Sequence, residues 1–173
     1  MFLKVLGAFL VVLSCSRLVV YMAARLSERR GLLKKIRVMV IHLRGEILYA
    51  NAPLYEGFQK AGRRAGGREG LLFETVSEQL LKEQGKEFFA IWQEAVTSYL
   101  PQTPLTKEEG EQLLAFGEHL GYLDREMQER TLSLYLEELE REMEELNQEI
   151  AQKGRLYTSA GILTGLFLAV IFI

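Results

Sequence analysis

Two apolar segments lie at opposite ends of this chain of 173 residues. The first occupies residues 5–24 and is interrupted by one charge, Arg17, whereas the second occupies residues 156–173 and carries no charge. Eighteen helical residues measure about 27 Å, which is close to the hydrocarbon thickness of a bilayer. Because too little protein remains at the chain end to surround a helix that is apolar on all sides, we predict that the second segment crosses a membrane.

The first segment has more than one interpretation, because Arg17 lies within it. A central arginine costs on the order of 2.5–3.5 kcal/mol, although its long stem lets the guanidinium reach toward the headgroups. We prefer a tilted membrane-spanning helix. The shorter apolar run over residues 5–16 also suits a signal-peptide core, and Val-Leu-Ser-Cys over residues 12–15 resembles a lipobox that ends at Cys15. A lipoprotein would have the middle of the chain outside the cell.

The charges beside the apolar segments predict the topology. Six basic residues follow the first segment, whereas Lys4 precedes it, and two more precede the second segment. Lys and Arg accumulate on the cytoplasmic side of membrane proteins, and a basic cluster near the membrane attracts anionic lipid. We therefore predict a two-pass protein with three parts: an N-terminal transmembrane helix over residues 1–25, a cytoplasmic domain over 26–155 and a C-terminal transmembrane helix over 156–173.

The middle of the chain has helical spacing and no hairpin signal. Its apolar residues recur every three or four positions, first in a stripe formed by Leu32, Ile36, Met39, Leu43 and Ile47. Since the chain leaves and re-enters the same membrane, its helices must run out and back. We predict an all-α fold, an up-and-down bundle of about six helices between the two transmembrane helices.

Local signals indicate where the next helices begin and end. Pro53 suits the first turn of a short second helix, and the glycine-rich and arginine-rich residues 61–70 predict a mobile basic loop. A third helix should follow this loop and bury Leu72, Val76 and Leu80. A fourth should begin near Lys86. Aromatic side chains bury the largest areas, so we expect three of them to anchor the core: Phe88, Phe89 and Trp92.

The last two helices also have recognisable ends. Thr106 and Glu109 have the spacing of a capping box, which predicts the start of a fifth helix. Gly117 and Gly121 should frame the end of that helix. Asp124 is well placed to cap the last and longest helix.

Two patterns run along the last helix. Apolar residues in alternating steps of four and three form a heptad seam: Leu132, Leu136, Leu139, Met143, Leu146 and Ile150. Antiparallel packing within the bundle is its usual role, and association with a second copy is the alternative. Residues 137–149 hold seven glutamates and Arg141.

Residues 1–70 hold 13 basic and 4 acidic side chains, whereas residues 71–173 hold 8 basic and 19 acidic ones. The acidic residues of the last helix have three interpretations. They form a solvated helix face, they pair with the basic first helix (Lys34, Lys35, Arg37 and Arg44), or they bind a basic partner protein. For the third interpretation we select the exposed positions Glu138, Glu142 and Glu145.

Catalytic equipment is sparse. The chain has no G-x-x-x-x-G-K-[S/T] motif for nucleotide phosphates, and His42, His119 and Cys15 do not have metal-ligand spacing. We predict no enzyme activity, no metal and no cofactor. The basic residues lie next to the membrane and lack interleaved aromatic residues, so we expect no nucleic-acid binding. Gly161 and Gly165 form a GxxxG pattern, which suits close packing of membrane helices.

Several short sequences together resemble a known family. They are Ala-Arg-Leu-Ser-Glu-Arg over residues 24–29, Phe-Gly-Glu-His-Leu-Gly over 116–121 with Asp124 and Gln128, and Lys-Gly-Arg-Leu-Tyr over 153–157. As a whole-chain pattern, strongest over residues 116–157, they resemble the stage III sporulation protein AB family. Arg17 departs from the uncharged first segment usual in that family.

The resemblance implies a function. The family is similar to the cytoplasmic helical domain of the F component of type II secretion systems. It implies a membrane complex between mother cell and forespore, with the sporulation ATPase as a partner on the mother-cell cytoplasmic side, along with other membrane components. Four residues match the family's helix-turn-helix motif, which we interpret as structural: Leu120, Gly121, Asp124 and Gln128. A self-associating membrane scaffold without an ATPase and an exported lipoprotein are the alternatives.

Overall fold

The computed structural model describes residues 2–83, 85–121 and 124–172, with the side chains at 2–16, 18–19, 155 and 157–172 left outside the description. Helices make up its secondary structure in these ranges, and no strand occurs there. The helices are α1 (Phe2–Leu48), α2 (Leu54–Ala65), α3 (Gly67–Lys82), α4 (Phe88–Tyr99), α5 (Lys107–Leu120) and α6 (Arg125–Phe172), and a 3-10 turn, Leu100–Gln102, follows α4. The predicted all-α class is confirmed.

The chain divides into two compact units. Met1–Arg30 and Glu144–Ile173 form one, which we call the terminal unit, and Gly31–Met143 form the other, which we call the helical unit. Within the terminal unit, Arg29 Nη1 lies 3.9 Å from Glu149 Oε2, and Arg30 Nη1 donates to Asn147 Oδ1 at 3.3 Å. In this unit, therefore, α1 and α6 run antiparallel.

Across the described parts of the chain, no helix combines the length and the apolar character that crossing a membrane requires.

Most of the predicted transmembrane segments, 1–25 and 156–173, consists of residues whose side chains lie outside the description. The same holds for Cys15, Gly161 and Gly165. The predictions of two membrane spans, of a lipobox and of a GxxxG contact therefore stay predictions.

The apolar stripe of α1 is part of the core of the helical unit. All five of its predicted residues are at most 6% exposed: Leu32, Ile36, Met39, Leu43 and Ile47. The part of the heptad seam in this unit is also turned inward, since Leu132 and Leu139 are buried and Leu136 and Met143 are half-buried. Both helices thus bury the faces that their spacing predicted.

Ion pairs join α1 to α6 along the helical unit. Arg37 Nη2 lies 3.5 Å from Glu140 Oε2, and Arg44 Nη2 lies 3.8 Å from Glu129 Oε1. The interpretation that the basic first helix pairs with the acidic last one is confirmed for these two arginines. Lys35 differs, because its Nζ lies 3.2 Å from Glu69 Oε2 of α3.

A chain of aromatic rings fills the centre of the helical unit. The centroids of contacting rings are between 4.6 and 6.3 Å apart in a group formed by Phe58, Phe73, Phe88, Trp92, Phe116 and Tyr135, in which Trp92 contacts four of the others. Trp92 is fully buried, and its Nε1 donates to the carbonyl of Leu113 at 2.9 Å. The predicted anchors Phe88 and Trp92 are confirmed, whereas Phe89 is only half-buried. Phe73 of α3 is buried instead, because it lies three and four residues before Val76 and Ser77, which are also buried.

The predicted loop over residues 61–70 is wrong. Helix α2 continues to Ala65 and α3 begins at Gly67, so Gly66 alone separates them, with a left-handed φ of 60°. Gly62 and Gly70 allow α2 and α3 to touch, because a Cβ on Gly62 would lie 2.7 Å from the carbonyl oxygen of Gly70. The glycines suggested a flexible loop, but their lack of side chains instead allows α2 and α3 to pack closely.

Gly117 also differs from its prediction. It lies within α5, because the helix continues to Leu120 and Gly121 occupies its C-cap position. A Cβ on Gly117 would lie 2.5 Å from Trp92 Nε1, closer than any real contact. Gly117 is therefore the site where the indole packs against the backbone of α5.

Candidate functional site

The four predicted motif residues lie where α5 ends and α6 begins. Gln128 Nε2 donates to the carbonyl of Leu120 at 3.1 Å, and Asp124 Oδ1 accepts from the backbone N–H of Glu126 at 3.2 Å. A Cβ on Gly121 would lie 3.0 Å from Phe88 Cβ, so this position favours glycine. The contacts tie the end of α5 to the start of α6 and set the two helices side by side.

Three carboxylates lie between these helices, and we call Glu109, Glu138 and Glu142 the acidic cluster. Glu109 belongs to the first turn of α5 and is 3% exposed. Its Oε2 accepts from the backbone N–H of Thr106 at 2.7 Å, while Thr106 Oγ1 accepts from the N–H of Glu109 at 3.2 Å. The predicted capping box is confirmed, and it fixes where this buried carboxylate lies.

Glu138 is half-buried on α6 and is held from both helices. Gln112 of α5 donates from Nε2 to Glu138 Oε1 at 2.9 Å, and Arg141 of α6 forms an ion pair with the same carboxylate. The side-chain amide of Gln112 also acts to lower the pKa of Glu142. Gln112 therefore influences two members of the acidic cluster.

Glu142 has the least complete surroundings of the three. The residue is 9% exposed, and its buried Oε2 has no hydrogen-bond partner among the residues that the structure describes. Burial raises the pKa of Glu142 above its usual 4.5, and the nearby carboxylates of Glu109 and Glu138 raise it further. The side-chain amide of Gln112 and the charge of Arg141 oppose that rise. A cation placed beside the Glu142 carboxylate would therefore be energetically favourable.

The burial of Tyr135 adds to this environment. Burial raises the pKa of the Tyr135 phenol, and the charges of Glu142 and Glu109 act in the same direction. The phenol therefore stays neutral beside the acidic cluster and supplies no compensating charge.

The expectation that Glu142 is exposed is wrong. It lies three residues after Leu139 and four before Leu146, both buried, so helical geometry turns it toward the same side. That spacing was the signal in the sequence, but the charge of the side chain argued against it. Glu138 is half-buried and paired, and Glu145 is exposed and belongs to the terminal unit. A docking role for these three residues stays a prediction.

An apolar surface adjoins the acidic cluster along α6. Met127 is 44% exposed and Leu134 is 55% exposed. Both line an open cavity of about 380 Å³, together with His119, Arg130 and Thr131. Sequence reasoning did not select Met127 or Leu134, because neither belongs to the heptad seam. We call the surface from this cavity to the acidic cluster the α5–α6 groove.

No group of His, Cys, Asp or Glu within the described ranges could hold a metal ion. The α5–α6 groove has an apolar part, with Met127 and Leu134, and an anionic part, the acidic cluster.

Comparison with known proteins identifies the family. The model of the family described as "Stage III sporulation protein AB" matches residues 4–173. The chain belongs to this family. The resemblance that the sequence indicated is thus confirmed, and the chain is a member of a family of sporulation proteins that is not a known enzyme family.

Two relatives illustrate how far the similarity extends. The stage III sporulation protein AB of Bacillus subtilis (strain 168) is 31% identical over 166 residues, which cover 96% of each chain. A solved structure of a stage III sporulation protein AB matches with a TM-score of 0.65 at 28% identity, and covers 72% of this chain and 97% of that one. The similarity therefore includes both sequence and fold.

Proposed function

We propose that this protein is a non-enzymatic platform component of a membrane complex between mother cell and forespore, and that its helical unit docks a cytoplasmic ATPase. Membership of the stage III sporulation protein AB family supports a role in sporulation. The chain has no phosphate-binding motif of its own, so the energy for any work by the complex must come from a partner.

The incomplete surroundings of Glu142 carry the docking part of this proposal. A buried carboxylate oxygen without a partner is costly, and a cation from another protein would remove that cost. Two basic residues of α1 that lie near α6, Arg37 and Arg44, already pair with Glu140 and Glu129. The acidic cluster is thus suited to a basic partner.

The two apolar segments support membrane attachment. Their length, and the basic residues that flank them on the inner side, favour a two-pass protein whose middle region faces the mother-cell cytoplasm. In this arrangement the apolar segments contact lipid and the other membrane components of the complex. The helical unit is then held where a cytoplasmic ATPase can reach it.

A cysteine-accessibility map tests the topology. Cys15 is replaced by serine, and single cysteines are introduced at exposed positions such as Glu28, Glu111 and Gln152. We expect all three to be protected from a reagent that cannot cross lipid until the cells are permeabilised. Labelling of Glu111→Cys in intact cells, or a mature chain that begins at Cys15, would instead support an exported lipoprotein.

Crosslinking in sporulating cells tests the partner. We expect a photoreactive residue at position 141 of α6 to give an adduct with the ATPase of the same complex. Adducts between copies of this chain alone would favour a self-associating scaffold. That alternative has less support, since Leu132 and Leu139 of the heptad seam are already buried within the helical unit.

A further inference from the structure

Four residues form a continuous strip along α6. Met127, Leu134, Glu138 and Glu142 are separated by seven, four and four positions, so they lie on the same side of the helix. From the first to the last is a distance of about 22 Å, or roughly four helical turns. The strip changes from apolar to acidic along its length, so the two ends of the α5–α6 groove differ in chemistry.

The apolar end of this strip is unusual for a protein surface. Single exposed apolar side chains are common. Here, however, Met127 and Leu134 are both exposed, lie two turns apart and line the same cavity of about 380 Å³. A cavity of that size between two helices has room for the apolar side chains of a third helix.

The acidic end of the strip has carboxylates held by hydrogen bonds, but one carboxylate oxygen lacks a partner among the described residues. Gln112 donates to Glu138, and the capping box fixes Glu109, so these two carboxylates are held in place before anything binds. Glu142, at 9% exposed, still has one carboxylate oxygen without a partner among the described residues. Cationic side chains that enter from the open side near Glu138 would complete this arrangement.

We propose that the α5–α6 groove receives a basic amphipathic helix of a partner protein, about four turns long. Its apolar side chains contact Met127 and Leu134, and its Lys or Arg side chains, two turns further along, pair with Glu138 and Glu142. This is recognition of a helix in a groove, in which the apolar contacts give affinity and the charges give register and specificity.

The charge of the groove excludes other classes of ligand. Acidic peptides and anionic headgroups would face Glu138 and Glu142 and be repelled. A wholly apolar helix would remove water from Glu138 and would supply no partner for Glu142, which is unfavourable. The groove therefore selects a helix in which leucine-like residues and basic residues follow one another along one face. The inference rests on the proposed function only in naming the ATPase as the source of this helix.

The test uses the full chain in detergent micelles and a designed peptide probe. The probe is a helical 16-residue peptide with leucines seven positions apart, followed by lysines four and eight positions after the second leucine. We expect it to bind the wild-type chain, and we expect Glu138→Lys and Leu134→Ser each to weaken binding by about tenfold or more. Binding of the wild type should also weaken with salt.

Matched controls separate the groove from general effects of charge and hydrophobicity. Glu137→Lys reverses an exposed charge on another face of α6, and Leu71→Ser removes an exposed apolar side chain of α3. Both should bind the probe within about twofold of the wild type. A second peptide, with glutamates in place of the lysines, should not bind. Circular dichroism and thermal unfolding confirm that each variant is folded.

The outcomes distinguish this inference from the proposed function. The inference is overturned if folded Glu138→Lys and Leu134→Ser chains bind the probe as well as the wild type, or if the wild type does not bind it. The proposed function fails separately, if the wild-type chain gives no adduct with the ATPase in cells. Adducts that form equally with the wild type and the two groove variants would retain the ATPase as a partner but place it elsewhere.

Discussion

The two sides of α5 differ in how completely their neighbouring groups are packed and hydrogen-bonded. On one side, Gly117 has no side chain and the indole of Trp92 packs against it, with Nε1 bonded to the carbonyl of Leu113. On the other side, Glu142 of α6 is 9% exposed, and its Oε2 has no hydrogen-bond partner within the described part of the chain. Helix α5 therefore lies between a completed core, where a change lowers stability, and the acidic cluster, where the loss of a charge should raise stability.

The largest effect should come from filling the space at Gly117. We expect Gly117→Ala to lower the free energy of unfolding by about 3 kcal/mol, because the new Cβ would overlap the buried indole of Trp92. Urea unfolding of the full chain in detergent, followed by tryptophan fluorescence, measures this.

Gly31→Ala is the matched control for that change. Gly31 lies within α1, and a Cβ there would have nothing within 4 Å. Alanine favours helix over glycine, so this variant should be more stable by about 0.5–1 kcal/mol. Equal losses in both variants would show that Trp92 does not pack tightly on α5.

The next effect concerns the hydrogen bond within the completed core. Trp92→Phe keeps an aromatic ring but removes the donor to the Leu113 carbonyl, along with some volume. We expect a loss of about 1–3 kcal/mol. A melting temperature equal to that of the wild type would mean that the bond contributes nothing to the stability of α4 against α5.

A smaller effect of opposite sign should occur at Glu142. The pKa of this carboxyl is raised in the folded state, so its ionised form destabilises the fold at neutral pH. As pH falls through the raised pKa toward 4.5, the folded state gains the proton first and the penalty disappears. We expect Glu142→Gln to unfold at a higher temperature than the wild type at pH 7, and at the same temperature below about pH 4.5.

Thermal unfolding across this pH range checks the expectation. Glu137→Gln is the control, because Glu137 is exposed and should show no such difference. A stabilisation by Glu142→Gln that persists unchanged at low pH would show that its cause is packing and not charge.

The smallest effect should come from Leu134. Since more than half of this side chain is exposed, we expect Leu134→Ser to change the free energy of unfolding by less than about 0.5 kcal/mol. Denaturant unfolding measures it beside Leu71→Ser. A loss of stability as large as that expected for Gly117→Ala would show that the α5–α6 groove is part of the core and is not a binding surface.

Several features of the fold could be predicted because they depend on residues close in sequence. The stripe from Leu32 to Ile47 follows from a period of 3.6 residues, and the capping box needs only Thr106 and Glu109. The candidate site was harder to predict. Glu138 and Glu142 were selected from the acidic composition of α6, but the prediction that Glu142 is exposed was wrong. Met127 and Leu134 were not selected from the sequence.

By itself the sequence determined the helices, most of their inward faces, the caps of α5 and α6 and the family, because each is a pattern along one stretch of chain. Only the tertiary structure decided that Gly62 and Gly70 join two helices and do not form a loop, and that Gly117 receives Trp92. It also decided which carboxylate of α6 is buried against α5. The reason is physical: helical periodicity is local, whereas the space beside a glycine and the partners of a buried charge depend on residues that only folding brings near.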